Sequence, residues 1–222
     1  MNFIFGNMAV ISRQCRILSM IIDLSHRLNE DTPTYPGDPK LSIKPAATFA
    51  DKNNLGHQVT LGTHAGTHID APAHMIEQGK TLDSFTADQF VGRGCYILVK
   101  NNVFDINDAE QADIQEGDIV VFNTMMSYRF YDSEYFTDYP AMNEEIANYL
   151  VDKKVKMVGV DTCSIDNQPS FPIHKILLGS DIPVIENLTN LEQLHGVNAK
   201  IYALPIRLNL DGAPARVIAE IS

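Results

Sequence analysis

Short apolar runs, separated by turns rich in Gly, Pro and Asp, dominate the chain and predict a strand-rich fold. The continuous apolar run at 95–99 is typical of a buried strand, a second buried strand is predicted at 155–160, and a strand at 119–123 follows the turn at Gly117-Asp118. Partial alternation of apolar and polar positions predicts further strands, which lie at 21–25, 41–50, 58–63, 183–185, 200–208 and 216–221.

Helical patterns are fewer and shorter. Asn143 is the predicted N-cap of a helix over 144–151, which has acidic residues in its first turn and two lysines just after its end. The remaining predicted helices lie at 105–113, 174–179 and 190–194. Because strands come first and then alternate with helices, the pattern predicts a mixed α/β fold in one domain over 20–222.

Several segments show no clean period. Residues 125–140 carry six aromatic side chains mixed with acids, and we interpret them as a long surface excursion, either a lid or a dimer contact. Residues 79–85 are predicted to form a loop and 88–94 a turn. Residues 1–19 are predicted to be an N-terminal extension, either disordered or forming a short added element.

Composition narrows the choice of partners and compartment. The chain has 222 residues, of which 45% are hydrophobic, and no apolar run approaches the length of a membrane span. Its formal charge of −11 argues against nucleic acid or an anionic membrane as a partner. Three widely spaced cysteines form no disulfide framework, which favours a cytoplasmic location.

The strongest chemical signal is a cluster of ligand-type side chains within residues 62–75. Its members are His64, His68, Asp70 and His74, at offsets of four, six and ten residues from the first. Three imidazoles and one carboxylate this close together predict a divalent-metal or catalytic site. Mixed nitrogen and oxygen donors suit zinc, manganese or iron.

The local pattern favours an extended chain here, because glycine, proline and β-branched residues interrupt the run. All four polar residues have even numbers, so strand alternation puts them on one face. Four residues of flat strand span roughly 13 Å, which is too far for two ligands of one ion. We therefore expect the chain to bend at Gly66 and Pro72 to turn His74 back toward the site.

More distant residues are weaker candidates. His174 and Glu186 lie next to predicted turns, where side chains can converge on a site. Tyr35 stands between two prolines in a rigid loop at 32–39, and it either packs in the turn or forms a wall for the substrate. Three further residues either orient imidazoles or form turns at strand ends, and they are Thr67, Asp161 and Asp166. The remaining histidines have no partner in the pattern and are interpreted as structural: His26, His57 and His195.

The histidine cluster resembles a known family signature. The run His64-x-Gly66-Thr67-His68-x-Asp70-x-Pro72-x-His74 is similar to that of the metal-dependent cyclase family, which includes bacterial kynurenine formamidases and isatin hydrolases. Collinear matches continue over 20–222, and they are Asp23-Leu24-Ser25, Tyr35-Pro36-Gly37-Asp38, Gly117-Asp118, residues 158–166, His174 and Glu186-Asn187-Leu188.

This resemblance implies a fold and a ligand set. The family has an α/β fold of the swivelling β/β/α type and is usually dimeric. The resemblance implies that one metal is bound by His64, His68 and Asp70, and a second by Asp70, His174 and Glu186. It also implies that His74 donates and accepts the proton, and that one or two divalent metals bind, with zinc the first expectation and manganese the second.

The expected activity follows from this site. We predict a metal-dependent hydrolase that cleaves a small amide C–N bond with a metal-activated water and His74 as general acid and base. Tyr35 stands where kynurenine formamidases have a tryptophan that contacts the substrate, so it is the predicted substrate-binding residue. Hydrolysis of a lactam or lactone, a lyase or cyclase reaction, and metal binding without catalysis are the alternatives. The expected partners are a small amide or lactam and a second copy of the chain in a homodimer or higher homo-oligomer.

Overall fold

The protein is described by a computed structural model that covers residues 19–222. The predicted extension at 1–19 therefore lies outside the described residues, apart from Ser19. The strands are β1 (Met20–Asp23), β2 (Ser42–Ala47), β3 (Gly56–Thr60), β4 (His68–Asp70), β5 (Val91–Leu98), β6 (Ile119–Asn123), β7 (Met157–Val160), β8 (Val184–Glu186), β9 (Ala199–Pro205) and β10 (Gly212–Ile221). The α-helices are α1 (Phe49–Lys52), α2 (Ile106–Gln111), α3 (Glu144–Asp152) and α4 (Pro172–Gly179).

Eight of these strands form one mixed sheet in the order β1-β10-β4-β8-β7-β6-β5-β9. The strands from β5 to β8 run parallel to one another, and the other pairings are antiparallel. β10 pairs with β4 through Gly212–Pro214 and with β9 through Ala215–Ile221. This double pairing closes the sheet into a barrel and leaves β1 as an extra strand beside β10.

Alternation along the strands separates two apolar layers. In β6, Ile119 and Val121 contribute to the cluster that fills the barrel, whereas Val120 and Phe122 join the cluster packed under the helices. That outer cluster includes Ile146 and other buried residues of α2, α3 and α4. The result is a barrel with a helical layer on the outside of its parallel strands. The predicted mixed α/β class in a single domain is confirmed.

The same alternation places polar residues on the outer face of the barrel. Ile69 of β4 pairs with Ile185 of β8, and both are fully buried in the barrel cluster. His68 pairs with Glu186 one position away, so both side chains point to the opposite face, toward α4. A seam of functional side chains therefore lies between the barrel wall and a helix.

The predicted N-cap and central strand are confirmed, since Asn143 Oδ1 accepts from the Ile146 amide and β6 spans the predicted residues. The turn predicted at 88–94 is present only over 88–90, and it is wrong for 91–94. A 3-10 turn at Ala87–Phe90 leads directly into β5, which begins at Val91. The turn-like glycines serve close packing, because a Cβ on Gly94 would lie 2.9 Å from Ile201.

Several other boundaries differ from the predictions. α4 begins at Pro172, so His174 is its third residue and does not open it. The strand predicted at 200–208 ends at Pro205, and the strand predicted at 216–221 already begins at Gly212. The early start of β10 matters most, because its first three residues pair with β4 beside the site.

The interpretation of residues 125–140 as a surface excursion is wrong for two of its six ring side chains. Phe130 and Tyr135 are 1% and 0% exposed and pack with Cys163 in a small core, whereas Tyr128 and Tyr131 are exposed. His26, which had no predicted partner, stacks on Phe130 with ring centroids 3.7 Å apart. The buried part of this segment thus packs over the loop after β1 and forms a small core separate from the two larger apolar clusters.

β2 and β3 form a separate two-stranded sheet. Most of its residues are exposed, and Val59 and the neighbouring Phe49 and Leu55 present large apolar side chains to solvent. Between residues 19 and 222, the helices are too short and too polar to cross a membrane.

Candidate metal and hydrolytic site

The predicted bend at Gly66 is present, since its φ is +61°. A Cβ at this position would overlap the side chain of Leu28, so glycine is required by both conformation and space. Only His68–Asp70 is extended, and His64 lies in the turn before the strand, so the predicted strand is shorter than expected. Pro72 begins a 3-10 turn that ends at His74. This turn places the centroid of the His74 ring 4.0 Å from that of the His64 ring.

Four buried side chains converge on the seam between β4, β8 and α4. His68 Nε2 lies 3.2 Å from Asp70 Oδ1 and 3.6 Å from Glu186 Oε2. His174 Nε2 lies 3.4 Å from Asp70 Oδ2 and 3.2 Å from Glu186 Oε1. All four residues are at most 5% exposed. The structure thus brings together the two predicted halves of the site, which are more than 100 residues apart in the sequence.

Backbone and carboxylate acceptors set the orientation of two imidazoles. His68 Nδ1 lies 2.8 Å from the Gly66 carbonyl, and His174 Nδ1 lies 2.8 Å from Asp166 Oδ2. Because these oxygens can only accept, both Nδ1 atoms carry the hydrogen. The Nε2 atoms are therefore turned toward the carboxylates of Asp70 and Glu186, which is the tautomer that metal-binding histidines adopt.

The carboxylate at the centre has an unsatisfied oxygen. Asp70 Oδ2 is buried and has no hydrogen-bond partner among the described residues. The Nε2 lone pairs of His68 and His174 face the carboxylates of Asp70 and Glu186, and these groups repel one another unless a proton or a cation lies between them. In the metal-free protein, burial opposes the charge on His68 and His174, but Asp70 and Asp166 respectively raise the pKa of each ring. A divalent cation satisfies the same oxygens without those protons, so the donor set fits such an ion.

Two groups of ligand-type atoms share Asp70. In one, donor atoms of His64, Asp70 and His74 lie within 4.8 Å of one another, and in the other those of His68, Asp70 and Glu186 do so. His64 Nδ1 lies 2.7 Å from Asp70 Oδ1. A single carboxylate at the junction of two groups is the arrangement expected for a bridging ligand.

The two outer histidines differ in their electrostatics. Burial opposes the charge on His64, but Asp70 and Asp211 raise its pKa to about 10. Burial lowers the pKa of His74, and the neighbouring His64 and His174 act in the same direction. At neutral pH His74 is therefore neutral and able to accept a proton.

A cavity of ≈190 Å³ opens beside these side chains. Tyr35 lies in its wall with Phe136, and the two rings meet edge to face with centroids 6.0 Å apart. Phe171 completes an aromatic lining close to His174. The structure therefore puts the predicted substrate residue at the same cavity as the predicted metal ligands.

The three predicted orienting residues have different roles. Asp166 contacts His174 and accepts hydrogen bonds from the amides of Ile173 and His174, so it also caps α4. Thr67 and Asp161 contact no imidazole ring in the described part of the chain. Thr67 bridges the backbones of residues 26 and 187, and Asp161 accepts hydrogen bonds from residues 124 and 127, so of the two predicted alternatives the structural role at a strand end fits both residues and the orienting role fits neither.

Sequence reasoning missed two residues of the site. Asp211 Oδ2 lies 2.9 Å from His64 Nε2, and the Asn187 side chain donates to the Gly66 carbonyl that orients His68. A signal existed for each, since Asp211 precedes glycine at a turn and Asn187 follows the strand-end Glu186. Neither signal indicates which distant histidine the residue contacts.

Comparisons with known proteins agree with this geometry. A family described as "Cyclase: Putative cyclase" matches residues 22–167. A kynurenine formamidase of Bacillus cytotoxicus is 30% identical over 204 residues, which cover 89% of this chain and 95% of that protein.

Solved structures show the same fold. Isatin hydrolase A from Labrenzia aggregata, bound to benzyl benzoate, superimposes with a TM-score of 0.81 at 25% identity, covering 91% of this chain and 94% of that one. A predicted metal-dependent hydrolase from Bacillus stearothermophilus gives 0.77 at 29% identity, covering 91% and 98%. The predicted class of enzyme, a metal-dependent hydrolase of amides, agrees with these relatives.

Proposed function

Because the chain belongs to the Cyclase family, we propose that it is a metal-dependent hydrolase that cleaves the C–N bond of a small aryl amide such as an N-formyl-aniline. The observation that carries the proposal is the unpartnered, buried Asp70 Oδ2 at the centre of four converging donor side chains. An apolar cavity with aromatic walls adjoins that centre and suits a substrate with one ring.

The proposed metal ligands are the five residues that resemble the family pattern. His64, His68 and Asp70 would hold one cation, and Asp70, His174 and Glu186 would hold a second. Zinc is the first choice and manganese the second, because the donor set mixes imidazole nitrogen with carboxylate oxygen. When bound, a divalent cation lowers the pKa of water toward about 7 and polarises a carbonyl oxygen.

In the proposed reaction His74 moves the proton. Its imidazole borders the cavity and is neutral, so it accepts a proton from the attacking water and returns that proton to the leaving nitrogen. The products are a carboxylic acid and an amine, which balances one water against one amide. Tyr35 and Phe136, which meet edge to face, form the wall against which the aryl group packs, so that the amide carbon faces the metal ligands.

Metal analysis combined with an activity panel tests this function. Protein purified without added metal salts is analysed for bound metal and then assayed on N-formyl-anilines before and after chelation. We expect about one or two divalent cations per chain in the untreated protein, and activity that chelation abolishes and the metal restores. Asp70→Asn should lose metal and activity, whereas the control Asp83→Asn, which changes a partly exposed carboxylate outside the site, should keep both. Undiminished activity in metal-free protein would refute the proposal.

A cyclic amide is the second candidate substrate. The fold likeness to an isatin hydrolase favours it, and so does a tyrosine at position 35, which is smaller than the tryptophan expected of a formamidase. Parallel kcat/KM values for N-formyl-anilines and for bicyclic lactams decide between the two. A preference of tenfold or more for the lactams would replace the formamide assignment and leave the metal chemistry unchanged.

The proposed assembly is a homodimer. The exposed sheet of β2 and β3 supports it, because a lone two-stranded hairpin is marginally stable in water and this one carries Phe49, Leu55 and Val59 on its surface. Light scattering coupled to size exclusion tests the assembly, and Phe49→Asp together with Leu55→Asp should yield monomers. The proposed location is the cytoplasm, which suits the free cysteines Cys95 and Cys163.

A further inference from the structure

Asp211 is held against the site by the strand that closes the barrel. It immediately precedes Gly212, the first residue of β10, and its carbonyl accepts a hydrogen bond of 2.8 Å from the Ala71 amide just after β4. Its main chain is thus fixed beside the end of the ligand-bearing strand. Its side chain is 38% exposed, so the charge is reachable by solvent on one side only.

One oxygen of this carboxylate serves two imidazoles. Asp211 Oδ2 lies 2.9 Å from His64 Nε2 and 3.4 Å from His74 Nδ1. A carboxylate oxygen can only accept, so each of these ring nitrogens carries a hydrogen. The His74 ring is consequently held with Nδ1 toward Asp211 and with Nε2 as the atom that carries a free lone pair.

We propose that Asp211 is a positioning residue that fixes the tautomer of His74 and the orientation of the His64 ring. It holds the hydrogen on His74 Nδ1, so that Nε2 is the nitrogen available to take a proton, and it accepts from His64 Nε2, so that Nδ1 faces Asp70. The inference rests on the proposed role of His74 in proton transfer. It adds a residue that no part of the histidine signature contains.

The neighbouring glycine supports the same role. A Cβ on Gly212 would lie 2.8 Å from His64 Cε1 and 3.1 Å from the Ile69 carbonyl oxygen. The His64 ring can therefore reach Asp211 only because position 212 has no side chain. Asp211 and Gly212 together supply the acceptor and the space that the ring needs.

Histidine ring NMR tests the proposal without any turnover. Long-range ¹H–¹⁵N spectra of the zinc-loaded or metal-free protein report which ring nitrogen carries the hydrogen, and the His74→Ala spectrum assigns the His74 signals. We expect a single Nδ1–H tautomer for His74 in the native protein and a mixture of tautomers in Asp211→Ala. Asp211→Asn, which keeps an acceptor oxygen, should restore part of the native pattern. A single Nδ1–H tautomer that persists in Asp211→Ala would overturn the proposal.

Kinetics provide a second, separate readout. For an active aryl formamide, Asp211→Ala should lower kcat by about 10- to 100-fold while KM changes less than about twofold. Asp83→Ala, which removes a partly exposed carboxylate that accepts from Asn209 two residues before Asp211, is the matched control and should change neither constant. A rise in KM with kcat unchanged would assign Asp211 to substrate binding and overturn the proposal. Should the native protein turn over no amide at all, the proposed function would fail while the NMR result still decided the tautomer.

Discussion

Asp166 offers the sharpest separation of folding from metal binding. Its carboxylate is 2% exposed and accepts three hydrogen bonds, from the Ile173 amide at 3.1 Å, the His174 amide at 2.9 Å and His174 Nδ1 at 2.8 Å. The first two bonds cap helix α4, and the third orients the imidazole. Asp166→Asn retains one acceptor oxygen, which serves one of the two amides because they donate to different oxygens of Asp166, and it removes the charge that holds the ring hydrogen.

The expected magnitudes differ between the two substitutions. Loss of the charge-assisted bond to His174 in Asp166→Asn should weaken metal binding by about 10- to 100-fold, or about 1.4–2.7 kcal/mol. The free energy of unfolding of the metal-free protein should fall by about 1–3 kcal/mol, since one buried amide loses its acceptor while the other cap bond is kept. Asp166→Ala leaves three donors unsatisfied in a buried place, at about 1–3 kcal/mol each, and should lower stability and metal affinity together.

Two titrations measure these effects. Calorimetric titration of the metal-free protein with zinc gives the affinity, and urea unfolding of the same preparation gives the stability. Asp105→Asn is the matched control, because Asp105 caps α2 through the Asn107 amide far from any predicted ligand. An Asp166→Asn protein that binds zinc with native affinity would refute either the orientation of His174 or its role as a ligand.

Three further predictions concern the proton carrier, the buried histidine and the substrate. His74→Ala should keep its metal and fold but lose about 10²–10⁴-fold in kcat, as measured by metal analysis and steady-state kinetics, and near-native turnover would remove His74 from the mechanism. Burial lowers the pKa of His26 to about 4 from the ordinary value of 6.5, so the unfolded chain binds the proton more readily. The stability that the neutral ring contributes is present above pH 6.5 and is lost as the pH falls toward 4. The loss in the free energy of unfolding is on the order of a few kcal/mol, and urea unfolding at several pH values should find it reduced in His26→Phe. The residues that line the cavity include Asp38 but, within the described chain, neither Lys nor Arg, so anilides with a carboxylate should react a few-fold more slowly than neutral ones. Asp38→Asn should reduce that difference in kcat/KM at low salt, and an unchanged ratio would show that Asp38 does not select substrates.

The site was predictable where its geometry is local. His68 and Asp70 share a face because strand alternation requires it. The chain bends at Gly66 because glycine tolerates a positive φ, and it turns at Pro72 because proline has a fixed φ that suits the start of a helical turn. Asn143 likewise caps α3 through a bond that spans three residues. The mixed α/β class followed from the order of the elements in the same way.

The rest depends on contacts that span the chain. Asp211 meets His64 only because β10 pairs with β4 across about 140 residues, and a Leu-Asp-Gly turn carries no trace of that pairing. Gly92 and Gly94 resemble turn residues although they are packed inside a strand against β9. Barrel closure itself requires the double pairing of β10, which alternation along a single strand does not indicate.

Anomalous X-ray diffraction from crystals grown with zinc, and then with manganese, shows whether the converging donors bind a cation. We expect one or two strong peaks within about 2.0–2.3 Å of His68 Nε2, His174 Nε2 and the carboxylates of Asp70 and Glu186. We also expect these peaks to disappear in Asp70→Ala crystals. Ordered crystals of the native protein with no anomalous peak at these atoms, at saturating metal, would contradict the proposed metal site.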